Sequence, residues 1–406
     1  MAKAPALKLA ILGAGPIGIE AAFYAHKLQW PFTVYERGRV GEFMYRWGHL
    51  RLFSPFGSNS TPLGRLALKT AKPHLSLPAE DAILTGREHI TNYLAPLAEM
   101  LAPNVATETQ VLKVSRRDFL KTDLVGDPAR AKSPFRLLVR DKQRERIEEA
   151  DVVLDCTGVY GQHRWAGAGG IPAPGEIQAE SQIAYGLDDI SGDKKNHYAN
   201  RTTLVIGCGY SAATTAAALA DLSKDNSSTW GTWIARNPVS TPIRRIPSDP
   251  LKERDRLAAR ANNIALRTDD NVDFFGGHVI ESIESLGDRG FKVTTRGPQG
   301  PKTWEVERIV ANVGYSPDTN LTRELQVDED YATLGPRKLM GSKSFDPLKS
   351  AGPDSLRHPE PNFFVLGVKS YGRNPNFLLR VGFEQVRDVF TILAGSSRLD
   401  LYRDAK

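Results

Sequence analysis

Two glycine-rich turns of matching spacing carry the clearest chemical signal in this chain. Each follows a short apolar run and has small residues at its first, third and sixth positions, which are Gly13, Gly15 and Gly18 in the first turn and Gly207, Gly209 and Ala212 in the second. Such residues permit a tight turn, close approach of a pyrophosphate to the backbone, and close packing of the following helix on the strand. The free amides at the helix start favour a phosphate. The pattern predicts two dinucleotide sites.

The residue that ends the next predicted strand differs between the two copies. In the first copy the strand 32–35 runs into Glu36, at the distance where a carboxylate accepts hydrogen bonds from ribose hydroxyls. In the second copy the strand 229–235 runs into Arg236, and Arg244 and Arg245 follow. A guanidinium binds a 2′-phosphate through two hydrogen bonds, which favours NADPH over NADH. A solvated basic loop is the alternative interpretation of these arginines.

Similar segments follow both turns and predict the domain organisation. Each set consists of a hairpin, an apolar strand and a glycine, found at 110–115, 135–140 and 146–158 in the first set and at 278–285, 291–295 and 304–314 in the second. This repeat predicts an α/β fold of two Rossmann-like doubly wound domains, each with a β-meander. We expect residues 1–195 and 315–406 to form the first domain, with residues 196–314 inserted as the second. A C-terminal helix is predicted over 378–393.

Composition excludes several classes of protein. The chain has 406 residues and a formal charge of +6, but its basic residues are interleaved with 47 acidic ones and no nucleic-acid-binding motif is present. No apolar run approaches the roughly 20 residues of a membrane span, so we expect a cytoplasmic protein without membrane contact. The eight histidines show no metal-binding spacing. The only cysteines are Cys156 and Cys208, which excludes a CxxC dithiol mechanism.

With these motifs the chain resembles the two-dinucleotide-binding flavoproteins, the broad group of flavin monooxygenases and pyridine nucleotide-disulfide oxidoreductases, here without redox-active cysteines. The resemblance implies FAD at the first turn, with contacts from Gly13, Gly15, Pro16, Ile17, Gly18, Glu36, Arg37, Trp47, Gly158, Gly367, Phe377 and Leu378. It implies NADPH at the second, with contacts from Gly207, Gly209, Tyr210, Ser211, Ala212, Arg236 and Gly314. Two features depart from the group: Val368 follows Gly367 where aspartate is frequent, and Glu180 stands where a monooxygenase signature has histidine.

Candidate catalytic residues come from two segments that the resemblance places over the flavin. They are His49 in the loop 47–55, and Arg373, Asn376 and Arg380 at the start of the last helix. Together with nearby aromatic residues they would form a cavity suited to an anionic or zwitterionic small molecule. Structural roles are the alternatives: a buried hydrogen-bonded ring for His49, phosphate binding or structural contacts for the two arginines, and helix capping for Asn376.

Three functions are compatible with these residues. The first is an FAD- and NADPH-dependent monooxygenase that oxygenates a small polar metabolite at nitrogen or sulfur with molecular oxygen. The second is an NADPH-dependent reductase that passes electrons to a quinone or a protein carrier. The third is a non-enzymatic dinucleotide-binding sensor, since a fold alone does not fix a function. The oligomeric state stays open, with a homodimer as one candidate.

Overall fold

The computed structural model describes residues 7–267, 271–341, 346 and 348–405. The chain divides into two compact units, Met1–Gln162 with Ser316–Lys406, and His163–Tyr315. The predicted fold class is confirmed: each unit contains a parallel sheet, helices and a three-stranded antiparallel meander, and the second unit is inserted in the first. Among the described residues, no helix is both long enough and apolar enough to cross a membrane.

Fifteen strands lie in the described residues. In chain order they are β1 (Leu9–Leu12), β2 (Phe32–Tyr35), β3 (Val105–Ala106), β4 (Gln110–Arg116), β5 (Phe135–Arg140), β6 (Glu145–Ala150), β7 (Val152–Asp155), β8 (Thr202–Ile206), β9 (Trp230–Ala235), β10 (Val272–Gly276), β11 (Val279–Ser285), β12 (Phe291–Gly297), β13 (Gly300–Val306), β14 (Arg308–Ala311) and β15 (Phe363–Val365).

Twelve α-helices accompany the strands in the same part of the chain. They are α1 (Pro16–Lys27), α2 (Glu42–Arg46), α3 (Pro62–Ala71), α4 (Gly86–His89), α5 (Ala95–Glu99), α6 (Glu176–Ala179), α7 (Lys195–Tyr198), α8 (Tyr210–Asp225), α9 (Lys252–Leu266), α10 (Arg337–Met340), α11 (Leu379–Leu393) and α12 (Leu401–Asp404). A turn of π-helix, Ile90–Leu94, joins α4 to α5.

The first unit is built on a parallel sheet in the order β15-β7-β1-β2-β3. All residues of β1 and β7 are buried, as expected for central strands of a parallel sheet covered on both faces. Leu9 and Ile11 face one core with the helices α1 and α11, whereas Ala10 and Leu12 face another with the meander β4-β5-β6. The alternation of side chains along β1 therefore holds helices and meander on opposite faces.

The second unit repeats this plan with a parallel sheet in the order β10-β9-β8-β14. Val205 packs with α8 on one face, and Leu204 and Ile206 pack with the meander β11-β12-β13 on the other. Residues 163–195, which the predicted division places in the first domain, lie in the second compact unit. There Ala184 forms a backbone bridge with Val310, and the buried side chain of Glu176 accepts hydrogen bonds from backbone amides of the same segment.

The two long apolar segments that close the predicted repeats each contain a break. Residues 146–158 form β6 and β7 with Asp151 between them, and residues 304–314 form the end of β13 and then β14, with Glu307 between them. The Asp151 carboxylate accepts a hydrogen bond from the amide of Lys8, which directly precedes β1. The Glu307 carboxylate accepts one from the amide of Thr202, which begins β8. A polar residue at the break thus lets one segment finish the meander and begin a sheet strand.

A buried carboxyl group lies inside the first unit. Glu20 on α1 is almost completely buried beside Thr61 and Tyr402, and one of its oxygens has no hydrogen-bond partner among the described residues. Burial raises the pKa of this carboxyl from 4.5 to about 7. Between pH 4.5 and about 7, the Glu20 carboxyl is therefore protonated in the folded protein and ionised in the unfolded chain.

We expect the Glu20→Gln variant to lose part of the pH dependence of stability. Because the folded pKa lies above the unfolded one, the wild-type free energy of unfolding should fall as pH rises from 4.5 to about 7. The shift corresponds to about 3 kcal/mol at most, so the variant should be more stable than wild type at pH 8 by up to that amount. Urea unfolding at pH 5 and pH 8 measures this, with the exposed Glu145→Gln as control. Equal pH slopes for wild type and Glu20→Gln would refute the assignment.

Candidate functional site

The first glycine turn, residues 13–18, is closed so tightly that two of its glycines have no room for a side chain. Gly13 has φ +96°, and a Cβ there would lie 2.7 Å from the carbonyl oxygen of Cys156. A Cβ on Gly18 would lie 1.9 Å from the carbonyl oxygen of Gly13. Both glycines are therefore required by the packing of α1 against the ends of β1 and β7.

Gly15 differs because nothing in the protein requires it to be glycine. It caps α1 in an ordinary extended conformation with φ −76° and ψ −179°, and no protein atom lies within 4 Å of the position its Cβ would take. Pro16 follows at the first helical position, and the first-turn amides, beginning with Ile17, lack intrahelical acceptors. The open space at this helix start fits a phosphate that approaches the backbone closely.

Glu36 lies beside this open space and is fixed in place. Its carboxylate is buried and accepts hydrogen bonds from the amides of Ala14 and Gly38, both at 2.8 Å. Each carboxylate oxygen has a second lone pair, so both can still accept from ribose hydroxyls. The side chain also connects the end of β2 to the glycine turn, a structural role that the sequence pattern did not predict.

Arg37 and Trp47 lie on the segment that follows Glu36. The Arg37 guanidinium carbon lies 4.7 Å from the ring centre of Phe43, and Trp47 ends α2 with its ring 6.5 Å from that of Tyr160. The indole nitrogen of Trp47 is buried and has no hydrogen-bond partner in the described part of the chain. Aromatic rings from two separate segments therefore meet beside Arg37.

The C-terminal segment joins the first glycine turn directly. Gly367 has φ +71°, and its Cβ position lies 3.2 Å from the side chain of Ile17. Its amide donates to the buried side chain of Gln385 on α11 at 2.9 Å. Gly158, which follows β7 with φ +71°, faces Val368 at 3.6 Å. Four predicted FAD-contacting positions, 15, 17, 158 and 367, thus lie on neighbouring turns at one edge of the sheet.

The remaining predicted FAD contacts start the last helix. Leu378 is the residue that precedes the first turn of α11, and Phe377 packs its ring edge-on against Tyr371 with centroids 5.3 Å apart. A Cβ on Gly382 would lie 2.4 Å from Ile17 and 2.8 Å from Phe377. The start of α11 therefore packs closely against the start of α1.

The predicted catalytic residues have different surroundings. His49 is half-buried in the loop after α2, and Arg373 and Asn376 are exposed. Arg380 donates to the carbonyl of Leu348 at 2.7 Å and lies 3.9 Å from the carboxylate of Glu384, so it has structural contacts of its own.

Asn376 does not cap the last helix. Its backbone and side-chain nitrogens both donate to Asn374, at 3.0 Å each, two residues before the helix cap at Leu378. The capping role considered from the sequence is wrong, because the cap residue of α11 is Leu378 and no side chain accepts a capping hydrogen bond there.

The second glycine turn, residues 207–212, repeats the geometry of the first. Gly207 has φ +139°, and a Cβ there would lie 2.3 Å from the carbonyl oxygen of Asn312 and 3.4 Å from the side chain of Ala212. Gly209 caps α8 with φ −100° and ψ 178°, and no protein atom lies within 4 Å of its Cβ position. The second unit therefore has the same open space at a helix start, which continues with Tyr210 and Ser211.

Asn312 is a structural residue of this second site that sequence reasoning gave no separate role. It is buried, and its side-chain oxygen accepts a hydrogen bond from the hydroxyl of Thr215 at 2.7 Å. Its side-chain nitrogen donates to the carbonyl of Gly186 at 2.8 Å. The signal was present in the sequence, since Asn312 ends an apolar run at the position that corresponds to Cys156. Gly314 follows with φ +90°.

The three arginines after β9 differ in their contacts. Arg245 forms two hydrogen bonds with Asp255, at 2.9 and 2.7 Å. Arg236 and Arg244 are exposed, and within the described ranges neither side chain has a hydrogen-bond or ion-pair partner. The structure therefore separates one paired arginine from two that remain available to an anion.

One family profile and several solved structures are similar to this chain. The profile of the family described as pyridine nucleotide-disulphide oxidoreductase matches residues 10–122. No curated protein sequence shows significant similarity to the chain. Among solved structures, the bacillithiol disulfide reductase Bdr from Bacillus cereus is 18% identical with a TM-score of 0.67, covering 96% of this chain and 99% of its own.

Monooxygenase structures match the chain equally broadly. The cadaverine monooxygenase DfoA from Erwinia amylovora, solved with FAD, is 16% identical with a TM-score of 0.64, covering 97% of this chain and 96% of its own. The ornithine N-hydroxylase KtzI from Kutzneria is 15% identical with a TM-score of 0.63, covering 96% and 99%. The fold is that of the two-dinucleotide-binding flavoproteins. This fold is shared by monooxygenases and disulfide reductases alike.

Valine at each of the two open glycines should weaken the binding of one dinucleotide and leave the fold intact. Gly15→Val should weaken FAD binding at least about tenfold, because the side chain would fill the space at the start of α1. Gly209→Val should weaken nicotinamide nucleotide binding similarly, and each variant should keep the other cofactor. Flavin retained after desalting and calorimetric titration with NADP⁺ measure the two affinities.

The third glycine of the first turn supplies the contrast. Gly18→Ala should prevent folding, since its methyl group would overlap the Gly13 carbonyl. Wild-type affinity for both cofactors in folded Gly15→Val and Gly209→Val would contradict the assignment of these spaces to phosphates.

Proposed function

We propose that this protein is an FAD-dependent oxidoreductase that uses NADPH, and that it is a monooxygenase acting on a small polar metabolite at nitrogen or sulfur. The observation that carries the proposal is the pair of open helix starts at Gly15 and Gly209, one in each unit. A ribose-binding carboxylate, Glu36, accompanies the first, and unpaired arginines accompany the second. Two different dinucleotides are the ligands that such a pair fits.

FAD suits the first unit. The space beside Gly15 fits its diphosphate, Glu36 holds its adenosine ribose, and the turns at Gly158 and Gly367 lie on the same edge of the sheet. When bound, FAD accepts a hydride from a nicotinamide and passes the electrons to oxygen or to another acceptor. The chain's own contribution is to bind and orient this group through the residues named above.

NADPH rather than NADH is favoured by the basic residues after β9. Arg236 directly follows this strand, where a carboxylate would repel a 2′-phosphate. Arg236 and Arg244 are exposed and have no partner in the described ranges, so binding a phosphate costs them no existing ion pair. Arg245 is held by Asp255 and contributes less.

A monooxygenase is favoured over a dithiol reductase by the cysteines. Cys156 is buried, and burial raises the pKa of its thiol, which disfavours the reactive thiolate. Cys208 is exposed in the second glycine turn, and the sequence contains no third cysteine. A reaction in which oxygen is the electron acceptor requires no protein dithiol. The exposed Arg373 suits an anionic or zwitterionic substrate.

A reductase that serves an external acceptor is the second candidate. Arg373 and Asn376 are exposed, whereas oxygenation is favoured by sites from which water is excluded. An exposed edge of this kind suits electron transfer to a quinone or a protein carrier.

Oxygen consumption by FAD-loaded protein with NADPH separates these functions. We expect a metabolite with an amine or a thioether to accelerate oxygen uptake, to lower the release of hydrogen peroxide, and to gain one oxygen atom from labelled O₂. Faster anaerobic NADPH oxidation with a quinone, together with no label in any metabolite, would favour the reductase. Protein that binds both nucleotides but does not oxidise NADPH with any of these acceptors would favour the sensor.

Arginine variants test the choice of nicotinamide nucleotide. Arg236→Ala should lower kcat/KM for NADPH by about 10- to 100-fold, the range for losing a hydrogen bond to a charged group, and leave NADH unchanged. Arg244→Ala should act in the same direction. Arg245→Ala is the matched control and should leave the NADPH to NADH ratio near wild type, because its guanidinium is bound to Asp255. An unchanged ratio in both Arg236→Ala and Arg244→Ala would contradict the proposed 2′-phosphate contacts.

A further inference from the structure

We propose that Lys369 and Asp155 form a positioning pair that fixes the spacing of the turns after β7 and β15 at the edge of the proposed FAD site. This inference rests on the proposed binding of FAD in the first unit. It assigns a role to a lysine side chain that lies in the interior of the protein, where an unpaired ammonium group would be strongly disfavoured. The two residues are 214 positions apart in the chain.

The contacts of the pair are short and shielded from water. Asp155, the last residue of β7, is completely buried, and Lys369 is 4% exposed. The lysine nitrogen lies 2.6 Å from one carboxylate oxygen of Asp155 and 3.1 Å from the hydroxyl of Thr157. The other carboxylate oxygen accepts from the amide and the hydroxyl of Thr157, at 3.1 and 2.6 Å. The ammonium group and Thr157 therefore share one carboxylate.

These three residues lie next to the glycines that face the proposed cofactor. Thr157 directly precedes Gly158, and its Cα lies 3.2 Å from the Cβ position of Gly13. Lys369 lies two residues after Gly367 in the short 3-10 turn Gly367–Tyr371. The side-chain contacts of Lys369 thus connect the turn after β7 to the turn after β15.

Backbone pairing between β7 and β15 does not extend to the two turns. The pairing of β7 with β15 ends with the bond from the amide of Leu366 to the carbonyl of Asp155, at 2.9 Å. Beyond that bond the segments that follow the two strands turn at Gly158 and Gly367, which both have positive φ. The buried ion pair is the link that continues past the strand ends, so it sets the spacing of the two turns.

One further charged group faces the pair. Glu329 is half-buried, and burial raises the pKa of its carboxyl while the neighbouring Lys369 lowers it and Asp155 raises it. Lys121 also lowers the pKa of Glu329, so removal of Lys369 would leave Asp155, but not Glu329, without a neighbouring cation.

Lys369→Met tests the pair, with FAD affinity of folded apoprotein and the visible circular dichroism of bound FAD as readouts. We expect the dissociation constant for FAD to rise at least about tenfold and the flavin dichroism to change, because breaking a buried pair displaces the groups around it. NADP⁺ affinity should stay within about threefold of wild type. Lys369→Arg, which keeps the charge, should recover most of the FAD affinity.

The matched control is Arg254→Met, which breaks the buried ion pair with Asp249 in the second unit and should leave FAD affinity and flavin dichroism unchanged. If Lys369→Met does not fold, the double variant Asp155→Asn with Lys369→Met removes both charges, and weakened FAD binding by that folded variant supports the proposal. Wild-type FAD affinity and dichroism in either folded variant would overturn the pair's role and leave the proposed function standing. Failure of wild-type protein to bind FAD would overturn both.

Discussion

The close contact between helix and strand at the two glycine turns is the constraint on which both candidate sites depend. In the first unit the helix lies so near the turn that a methyl group on Gly18 would reach the carbonyl of Gly13. In the second unit Ala212 suffices at the matching position, and Gly207 is confined by the carbonyl of Asn312. This packing brings each helix start to the edge of its sheet, where open space remains beside Gly15 and Gly209.

The two units share this frame and differ in charge. Glu36 is buried and fixed by two backbone amides, so the first candidate site presents a carboxylate held in one position. Arg236 is exposed and has no partner in the described ranges, so the second site presents a cation that a phosphate can recruit. Under the proposed function, this difference in charge would distinguish a dinucleotide held through its ribose hydroxyls from one that carries an additional phosphate.

The sequence predicted the turns, the central strands and the meanders well, because glycine spacing and apolar runs are local signals. It could not show that Arg245 is bound to Asp255, since the acid lies on α9, which has no strong apolar periodicity. It gave Glu36 a ligand-binding role and missed its bond to Ala14, which depends on how β2 lies beside the turn. The segment 163–195 has neither helical nor strand periodicity, and its place in the second unit comes from single backbone bridges such as Ala184 with Val310.

The central claim is that one nucleotide bound by this chain reduces the other. Anaerobic titration of the FAD-loaded wild-type protein with NADPH, followed by visible absorption, tests this claim directly. The account predicts that the flavin absorption disappears on addition of about one equivalent of NADPH, because a nicotinamide delivers two electrons as a hydride. Flavin that stays oxidised in excess NADPH and in excess NADH would contradict it, as would a folded protein that retains no flavin.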